Sequence, residues 1–315
     1  MWYPWSHMRR ADRALTGLVE GLRRRIADSA TEPFAHAPYP LERTMDYRGD
    51  PGVLGPGSVS WMVIADIATF VGGMRALLIQ AAHPEIVAGV VDHSGYRKDP
   101  LGRLSRTSAY VTAATYGAMP EVEQAISQVR LTHRPIRGAS SRGVPYTADD
   151  PSLSAWVHNA LTDSFLTTHL AYGGFPLSDD ECDRFVAEQT RVGALLGADP
   201  MPSSRADLRS WIGDHPGLAP SPEMEEAVAF LTDPPLPIGV KLGYRVLLEA
   251  AIATIPKRIR DILGVYPAFG AVTVGRSAVA GLRWALGYSP SWRLALERCD
   301  QEVPGHLFKE SPRVA

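Results

Sequence analysis

Most of this chain is divided into helices by a recurring start signal, which constrains the fold more than any other feature of the sequence. Asp99-Pro100 and Asp150-Pro151 each place an N-cap carboxylate before a proline at the first helical position, and residues 178–181 form a capping box. Strand signals are scarce, since only short β-branched runs such as 271–274 compete with the helical pattern. The sequence therefore predicts an all-α fold in a single domain.

The helix signals give the expected order of elements along the chain. Two stretches rich in proline and glycine, 29–57 and 197–222, are expected to be irregular arms. The predicted helices cover residues 8–28, 58–82, 85–92, 99–116, 120–133, 151–172, 178–196, 222–232, 236–252, 256–263 and 268–286. The expected organisation is an N-terminal helix and irregular arm over 1–57, a helical bundle over 58–290 and a C-terminal tail over 291–315.

The composition is that of a globular protein with a sizeable core and no affinity for polyanions. Of the 315 residues, 45% are hydrophobic, and the formal net charge is −2. This near-neutral charge implies no nucleic-acid-binding surface. The chain contains two cysteines, Cys182 and Cys299, which excludes a disulfide framework, a cysteine-rich zinc site and a covalently attached c-type haem. Such cysteine usage predicts a reducing compartment and a cytoplasmic location.

The longest apolar stretch, residues 59–82, is predicted to be a buried helix rather than a transmembrane segment. Asp66, Arg75 and Gln80 interrupt it, and two opposite charges are rare in a span of ~20 residues. The N-terminus has no cationic segment followed by an apolar run, so no secretory signal is expected. Peripheral contact with a membrane surface is left open as the alternative.

The predicted helix 99–116 carries a row of groups that could bind an anion. Arg103, Thr107 and Tyr110 lie at i, i+4 and i+7 and share one stripe, with Arg106 beside them. A guanidinium, a hydroxyl and a phenol in one row suit a carboxylate, a haem propionate or a bound oxygen species. The alternative is that both arginines pair at the surface with nearby acids such as Asp92, Asp99 or Glu123.

The predicted helix 120–133 places one histidine on its inward face. The inward stripe is formed by Val122, Ile126, Val129 and His133. The imidazole of His133 could ligate iron or another metal through one nitrogen, while its other nitrogen donates to a carbonyl or carboxylate. The alternative is a core histidine, or a cation that compensates the carboxyl end of the helix dipole.

Three other histidines lie near predicted helix ends or faces. His83-Pro84 is typical of a helix terminator, and Asp92-His93-Ser94 could form a hydrogen-bonded loop. On the predicted helix 151–172, His158 could line a pocket together with Trp156, or lie at the boundary of the core. Zincin, di-iron, dinucleotide-binding, P-loop and serine-hydrolase motifs are absent from the sequence.

Several short motifs occur in a fixed order along the middle of the chain. They are His83-Pro84, Asp92-His93-Ser94, Asp99-Pro100-x-x-Arg103-x-x-Arg106-Thr107, Thr132-His133, Gly138, Gly143-x-x-Tyr146, Asp150-Pro151 and Trp156-Val157-His158. Each motif alone has little specificity. Their order and spacing together resemble the MpaB-like oxygenase family, which is related to the latex-clearing rubber oxygenases, over about residues 58–290.

The resemblance implies an all-helical fold, globin-like in character, around a non-covalent b-type haem. It also implies an oxygenase that uses dioxygen to attack a hydrophobic, isoprenoid- or lipid-like substrate, including oxidative cleavage of carbon–carbon double bonds. His133 would be the proximal iron ligand, and Arg103, Arg106 and Thr107 would lie over the haem. Further residues of the pocket would be Tyr110, as a proton donor or a packing group, and His158.

Arg106 departs from the pattern of the family that the chain resembles. The latex-clearing enzymes have at this position a lysine that can ligate iron, whereas a guanidinium has no free lone pair to donate. Three other functions stay open. They are a haem protein with a peroxidase, sensing or electron-transfer role, a helical apolar-ligand-binding protein without catalysis, and a non-haem metal site built from His83, His93 or His133 with Asp92.

Overall fold

The computed structural model of the chain describes residues 36–309 together with Glu20, Gly21 and Arg23. Over these residues the fold is all-α, as predicted, with thirteen α-helices and one small two-stranded sheet. The predicted helix 8–28 lies outside the described residues except at those three positions, which are helical.

The remaining predicted helices lie within three residues of their predicted bounds, apart from the corrections given below. A further helix, Pro290–Arg298, was not predicted and lies in the expected C-terminal tail. Their order is α1 Val59–Ala65, α2 Ala68–Ala81, α3 Pro84–His93, α4 Pro100–Tyr116, α5 Met119–His133, α6 Pro151–Tyr172, α7 Asp179–Leu195, α8 Arg205–Asp214, α9 Pro222–Thr232, α10 Ile238–Ala253, α11 Lys257–Leu263, α12 Ala271–Leu286 and α13 Pro290–Arg298. The start signals act as expected, since the side chains of Asp99, Asp150 and Ser178 accept hydrogen bonds from the first turns of α4, α6 and α7.

Helices α2 and α6 form the centre of the bundle and pack against each other along their length. Their close approach depends on Gly72, where an added Cβ atom would lie 2.7 Å from the ring of Phe165. Between the two helices, the fully buried guanidinium of Arg75 lies 2.7 Å from the Asp163 carboxylate and donates a hydrogen bond to Ser164. This pairing is what makes a charge tolerable inside the bundle.

The prediction of one continuous helix over 58–82 is wrong, because the chain turns at Asp66. The Asp66 carboxylate accepts hydrogen bonds from the backbone N–H of Ala68 and Gly174 and from the guanidinium of Arg283. The backbone at Asp66 is extended, and α1 and α2 meet at 89°. Within the described residues, no single helix is long and apolar enough to cross a membrane, and α1 and α2 reach that length only together, across their bend.

Two ordered elements lie in stretches that were predicted to be irregular. Residues 135–149, which lie between two predicted helices, contain an antiparallel hairpin of β1 Arg137–Ala139 and β2 Pro145–Thr147, in which Gly138 faces Tyr146. The predicted arm 197–222 contains α8, whose N-cap Ser204 accepts from the Asp207 N–H. The prolines and glycines around these elements favoured the prediction of irregular structure. The elements themselves are short, with three residues in each strand and ten in α8.

Helices α4 and α5 form a helical hairpin, since only two residues separate them and the two helices are in contact. The turn between them is anchored by Arg298, which is fully buried and donates to the carbonyl of Tyr116 and to the hydroxyl of Thr44. Helix α3 connects the two parts of this hairpin, since its C-cap Ser94 accepts a hydrogen bond from Arg103 on α4 and its Asp92 accepts one from Tyr146, which follows α5 in the chain.

Candidate active site

Arg103 is a half-buried cation with no anionic partner among the described residues. Its Nη1 donates to the Ser94 hydroxyl at 2.7 Å, and no carboxylate of the described residues forms an ion pair with it. Burial lowers the pKa of Arg103, the charge of Tyr96 raises it, and the neighbouring Arg106 lowers it. Because a guanidinium has five N–H donors and stays charged, one neutral hydroxyl leaves most of its hydrogen-bonding capacity unused.

Tyr110 lies two turns further along the same stripe of α4. Its side chain is half-buried, but its hydroxyl is shielded from solvent and forms no hydrogen bond with the part of the chain that the structure describes. Burial raises the pKa of Tyr110 well above its ordinary range, so the phenol stays protonated and remains a donor. An unpaired buried hydroxyl is costly, which makes this position a candidate contact for a bound ligand.

The other two members of the predicted row point to the surface. Arg106 is exposed and donates to the Asp99 carboxylate at 3.1 Å, so for this arginine the structure has the surface pairing that was given as the alternative. Thr107 is also exposed, and its hydroxyl donates a hydrogen bond to the carbonyl of Arg103 at 3.1 Å. The structure thus places Arg103 and Tyr110 in partly buried surroundings and leaves Arg106 and Thr107 outside them.

His133 is the last residue of α5 and is half-buried. The inward stripe that leads to it is as predicted, with Val122 and Ile126 buried and Val129 half-buried. Burial lowers the pKa of His133, whereas the Asp149 carboxylate and a hydrogen bond with the Ala148 backbone raise it, and the net effect is a lowered pKa. A neutral imidazole with one nitrogen occupied by backbone keeps its other lone pair free for a metal.

His158 contacts α7 rather than α4 or α5. It is buried, and its Nε2 lies 2.8 Å from the carbonyl oxygen of Gln189. Burial lowers the pKa of His158 to about 4, while the hydrogen bond with the backbone of Gln189 raises it. The structure therefore does not join His158 to Arg103 and His133, and its contacts are those of a core histidine.

His83 lies in an aromatic cluster under α3, consistent with its prediction as a helix terminator. The ring is buried, 5.8 Å from Trp156 and 5.4 Å from His215 between centroids, and burial lowers its pKa to about 4. Among the residues that the structure describes, no group of three or more His, Cys, Asp or Glu side chains is arranged to hold a metal ion. A metal centre with several protein ligands therefore has no candidate in that part of the chain.

The chemistry of three side chains on α4 and α5 is of the kind that a b-type haem would need. His133 would supply a neutral imidazole as iron ligand. Arg103, which has no carboxylate partner among the described residues, would supply a guanidinium for a propionate or an oxygen ligand. The buried hydroxyl of Tyr110 would supply a further donor.

The sequence did not reveal the supports of this site. Ser94 holds Arg103, and Asp92 accepts a hydrogen bond from the Tyr146 hydroxyl at 2.7 Å. Both acceptors belong to the Asp92-His93-Ser94 motif, so the motif was visible. Its partners were not, because they lie 9 and 54 residues away on other elements.

Comparison with known proteins identifies relatives of the chain. Residues 61–284 match the family described as ER-bound oxygenase mpaB/B′/Rubber oxygenase, catalytic domain. An uncharacterized protein of Mycobacterium bovis and one of Mycobacterium tuberculosis are each 32% identical over 125 residues, which is 38% of this chain and 48% of each relative. The chain thus spans about half the length of these curated relatives. No solved structure matches it.

Proposed function

Because this chain belongs to the catalytic-domain family of the ER-bound oxygenase mpaB and the rubber oxygenases, we propose that it is a haem b-dependent oxygenase of a hydrophobic, isoprenoid- or lipid-like substrate. The observation that carries the proposal is Arg103, a half-buried guanidinium with no carboxylate partner among the described residues, on the helix that precedes the helix of His133. A partly buried cation lowers the stability of the folded protein unless an anion pairs with it.

In this proposal the chain's own side chains have separate roles. His133 holds the haem iron through the imidazole nitrogen that the Ala148 backbone leaves free. When bound, haem supplies one-electron chemistry with dioxygen. Arg103 donates to negative charge, and the protonated Tyr110 donates a further hydrogen bond from its buried hydroxyl. Arg106, paired with Asp99 at the surface, has no contact role in the site and does not ligate iron.

The test of the proposal is the absorption spectrum of protein expressed with ample iron and haem precursor. We expect a Soret band in the wild type and its loss or displacement in His133→Ala. The matched control is His306→Ala, since His306 is an exposed histidine near the other end of the chain. A wild type without a Soret band after haem supplementation, or an unchanged spectrum in His133→Ala, would overturn the haem assignment. Oxygen uptake with isoprenoid substrates then tests the oxygenase activity.

The unpaired guanidinium of Arg103 also favours one other function, the binding of an apolar ligand that carries a carboxylate. The carboxylate of a fatty acid or an acidic isoprenoid would form an ion pair with Arg103, as a haem propionate would. This function requires no pigment. It is favoured if the purified protein retains a carboxylate lipid, lacks a Soret band and loses the lipid in Arg103→Met.

A further inference from the structure

The β1–β2 hairpin follows His133 closely, and its far end returns to the turn that begins at this histidine. The Ile136 N–H donates to the His133 carbonyl at 2.9 Å, and the Ala148 N–H donates to the Ile136 carbonyl at 3.1 Å. The imidazole of His133 is in addition influenced by the Ala148 backbone and by the charge of Asp149. The position of residues 148–149 therefore determines which backbone and charged groups of the protein act on the imidazole.

The hairpin is too small to hold this placement by itself. Each strand has three residues, and a two-stranded hairpin of that size is not independently stable in water. Helix α3 supplies the missing support at both of its ends. In its first turn Glu85 accepts from the hydroxyl of Ser140 and from Nε of Arg142, each at 2.7 Å, and in its last turn Asp92 accepts from Tyr146.

Tyr146 is the buried residue of the two strands, and two glycines form its slot. An added Cβ atom at Gly138, directly across the sheet, would lie 2.5 Å from the Tyr146 hydroxyl oxygen. At Gly89 on α3 it would lie 3.3 Å from the tyrosine ring. The ring is thus confined on two sides, with its hydroxyl 2.7 Å from the Asp92 carboxylate. Tyr146 precedes Ala148 by two residues, so fixing the ring fixes the end of the hairpin that returns to the turn after His133.

We propose that Tyr146 and Asp92 are positioning residues for the imidazole of His133. Their hydrogen bond holds the end of the hairpin on α3, and the hairpin holds the Ala148 backbone against one ring nitrogen. The other nitrogen is then presented in a single tautomer and orientation. The inference rests on the proposed function, in which haem iron takes that nitrogen. Groups that orient a ligating histidine through its second nitrogen typically change metal affinity by about 10- to 100-fold when removed.

The first test uses the protein without haem, so that it does not depend on the proposed function. The histidine ring nitrogens are followed by ¹⁵N NMR, and the His133 signal is assigned as the one that is lost in His133→Ala. At neutral pH we expect one tautomer of His133 in the wild type and a mixture in Tyr146→Phe, which keeps the ring in its slot and removes the donor. Asp92→Asn keeps an acceptor oxygen and should behave as the wild type, whereas Asp92→Ala should behave as Tyr146→Phe.

The matched control is Tyr172→Phe. Tyr172 is also buried and donates to the carbonyl of Ala250 at 2.8 Å, but it lies between α6 and α10, away from the hairpin. It should lose a comparable hydrogen bond without changing the His133 tautomer. Because Asp92 is exposed, the Asp92 variants keep the test decisive if Tyr146→Phe folds poorly.

The second test measures haem release to an excess of a haem-scavenging apoprotein. We expect Tyr146→Phe and Asp92→Ala to release haem at least 10-fold faster than the wild type, with Tyr172→Phe unchanged. Wild-type tautomer and release rate in both Tyr146→Phe and Asp92→Ala would overturn the inference and leave the proposed function standing. A wild type that binds no haem, with a tautomer that still shifts in Tyr146→Phe, would overturn the proposed function and leave the positioning role standing.

Discussion

A guanidinium can donate five hydrogen bonds, and within the described residues Arg103 has a single neutral hydroxyl as its partner. Arg103→Met removes an unpaired, half-buried charge and keeps the aliphatic stem. We expect the stability of the haem-free protein to stay within about 0.5 kcal/mol of the wild type or to rise. Haem affinity should fall about 10-fold or more, since a charge-assisted hydrogen bond contributes about 1.5–3 kcal/mol.

Urea unfolding measures the stability of the haem-free protein, and haem titration measures its haem affinity. The control is Arg106→Met, which removes an exposed guanidinium whose partner is Asp99. It should change neither stability nor affinity by more than a few tenths of a kcal/mol. A haem-free Arg103→Met that is strongly destabilised, with unchanged haem affinity, would show that this arginine serves the fold instead of a ligand.

Three buried histidines, His83, His158 and His169, make the stability depend on pH. Burial lowers the pKa of all three, and that of His83 and His158 to about 4, below the value of about 6.5 for an unfolded chain. Between these values the unfolded chain binds protons that the folded protein does not, so stability is lost as the pH falls from 6.5 toward 4. Each histidine contributes a slope of up to about 1.4 kcal/mol per pH unit.

Urea unfolding at pH 5.0, 5.5, 6.0 and 6.5 tests this dependence in a range where carboxylates contribute little. His158→Gln should flatten the slope, because the side chain that gains a proton on unfolding is gone. The exposed His306→Gln should leave the slope as it is in the wild type. A slope that is identical in wild type and His158→Gln would contradict the assigned burial of His158.

At the scale of elements, the α4–α5 hairpin depends on one arginine from the end of α13. Arg298 is fully buried and donates to the Asp50 carbonyl at 2.8 Å, to the Thr44 hydroxyl at 2.6 Å and to the Tyr116 carbonyl at 2.7 Å. Arg298→Met leaves these acceptors and the buried Glu121 without their cation. We expect a loss of about 3–5 kcal/mol in the free energy of unfolding.

The matched control for this prediction is Arg293→Met, on the same helix. Arg293 is half-exposed and pairs with Glu297 one turn away, so its loss should cost less than about 0.5 kcal/mol. Chemical denaturation of both variants gives the comparison. Equal losses in the two variants would show that the buried contacts of Arg298 do not anchor the hairpin.

Elements with a local start signal were predictable from the sequence, and those set by distant partners were not. Helix α4 begins at Asp99-Pro100 because the signal and the helix are contiguous. The break at Asp66 depends on Arg283, which is 217 residues away, so no local pattern announces it. In the site, the periodicity that leads to His133 was visible. The support of Tyr146 by Asp92 was not, because it requires the hairpin to lie on α3.

At the scale of the whole molecule, the proposed haem is a ligand of the folded state alone and should stabilise all of it. At a free haem concentration 100 times the dissociation constant, binding adds about 2.7 kcal/mol to the free energy of unfolding. We expect the thermal midpoint of the wild type to rise when haem is added and that of His133→Ala to rise much less. Calorimetry with and without haem checks this, and equal shifts in the two proteins would contradict ligation by His133.

The carboxylate of Asp66 joins three parts of the chain that are synthesised at very different times. It accepts hydrogen bonds from the backbone N–H of Gly174 and from the guanidinium of Arg283, which follow it by 108 and 217 residues. On the ribosome, the corner between α1 and α2 therefore emerges long before the groups that lock it. The most apolar stretch of the nascent polypeptide therefore lacks the hydrogen bonds from Arg283 until α12 has been made. Its apolar surface is exposed during that time, and we expect chaperones to bind it.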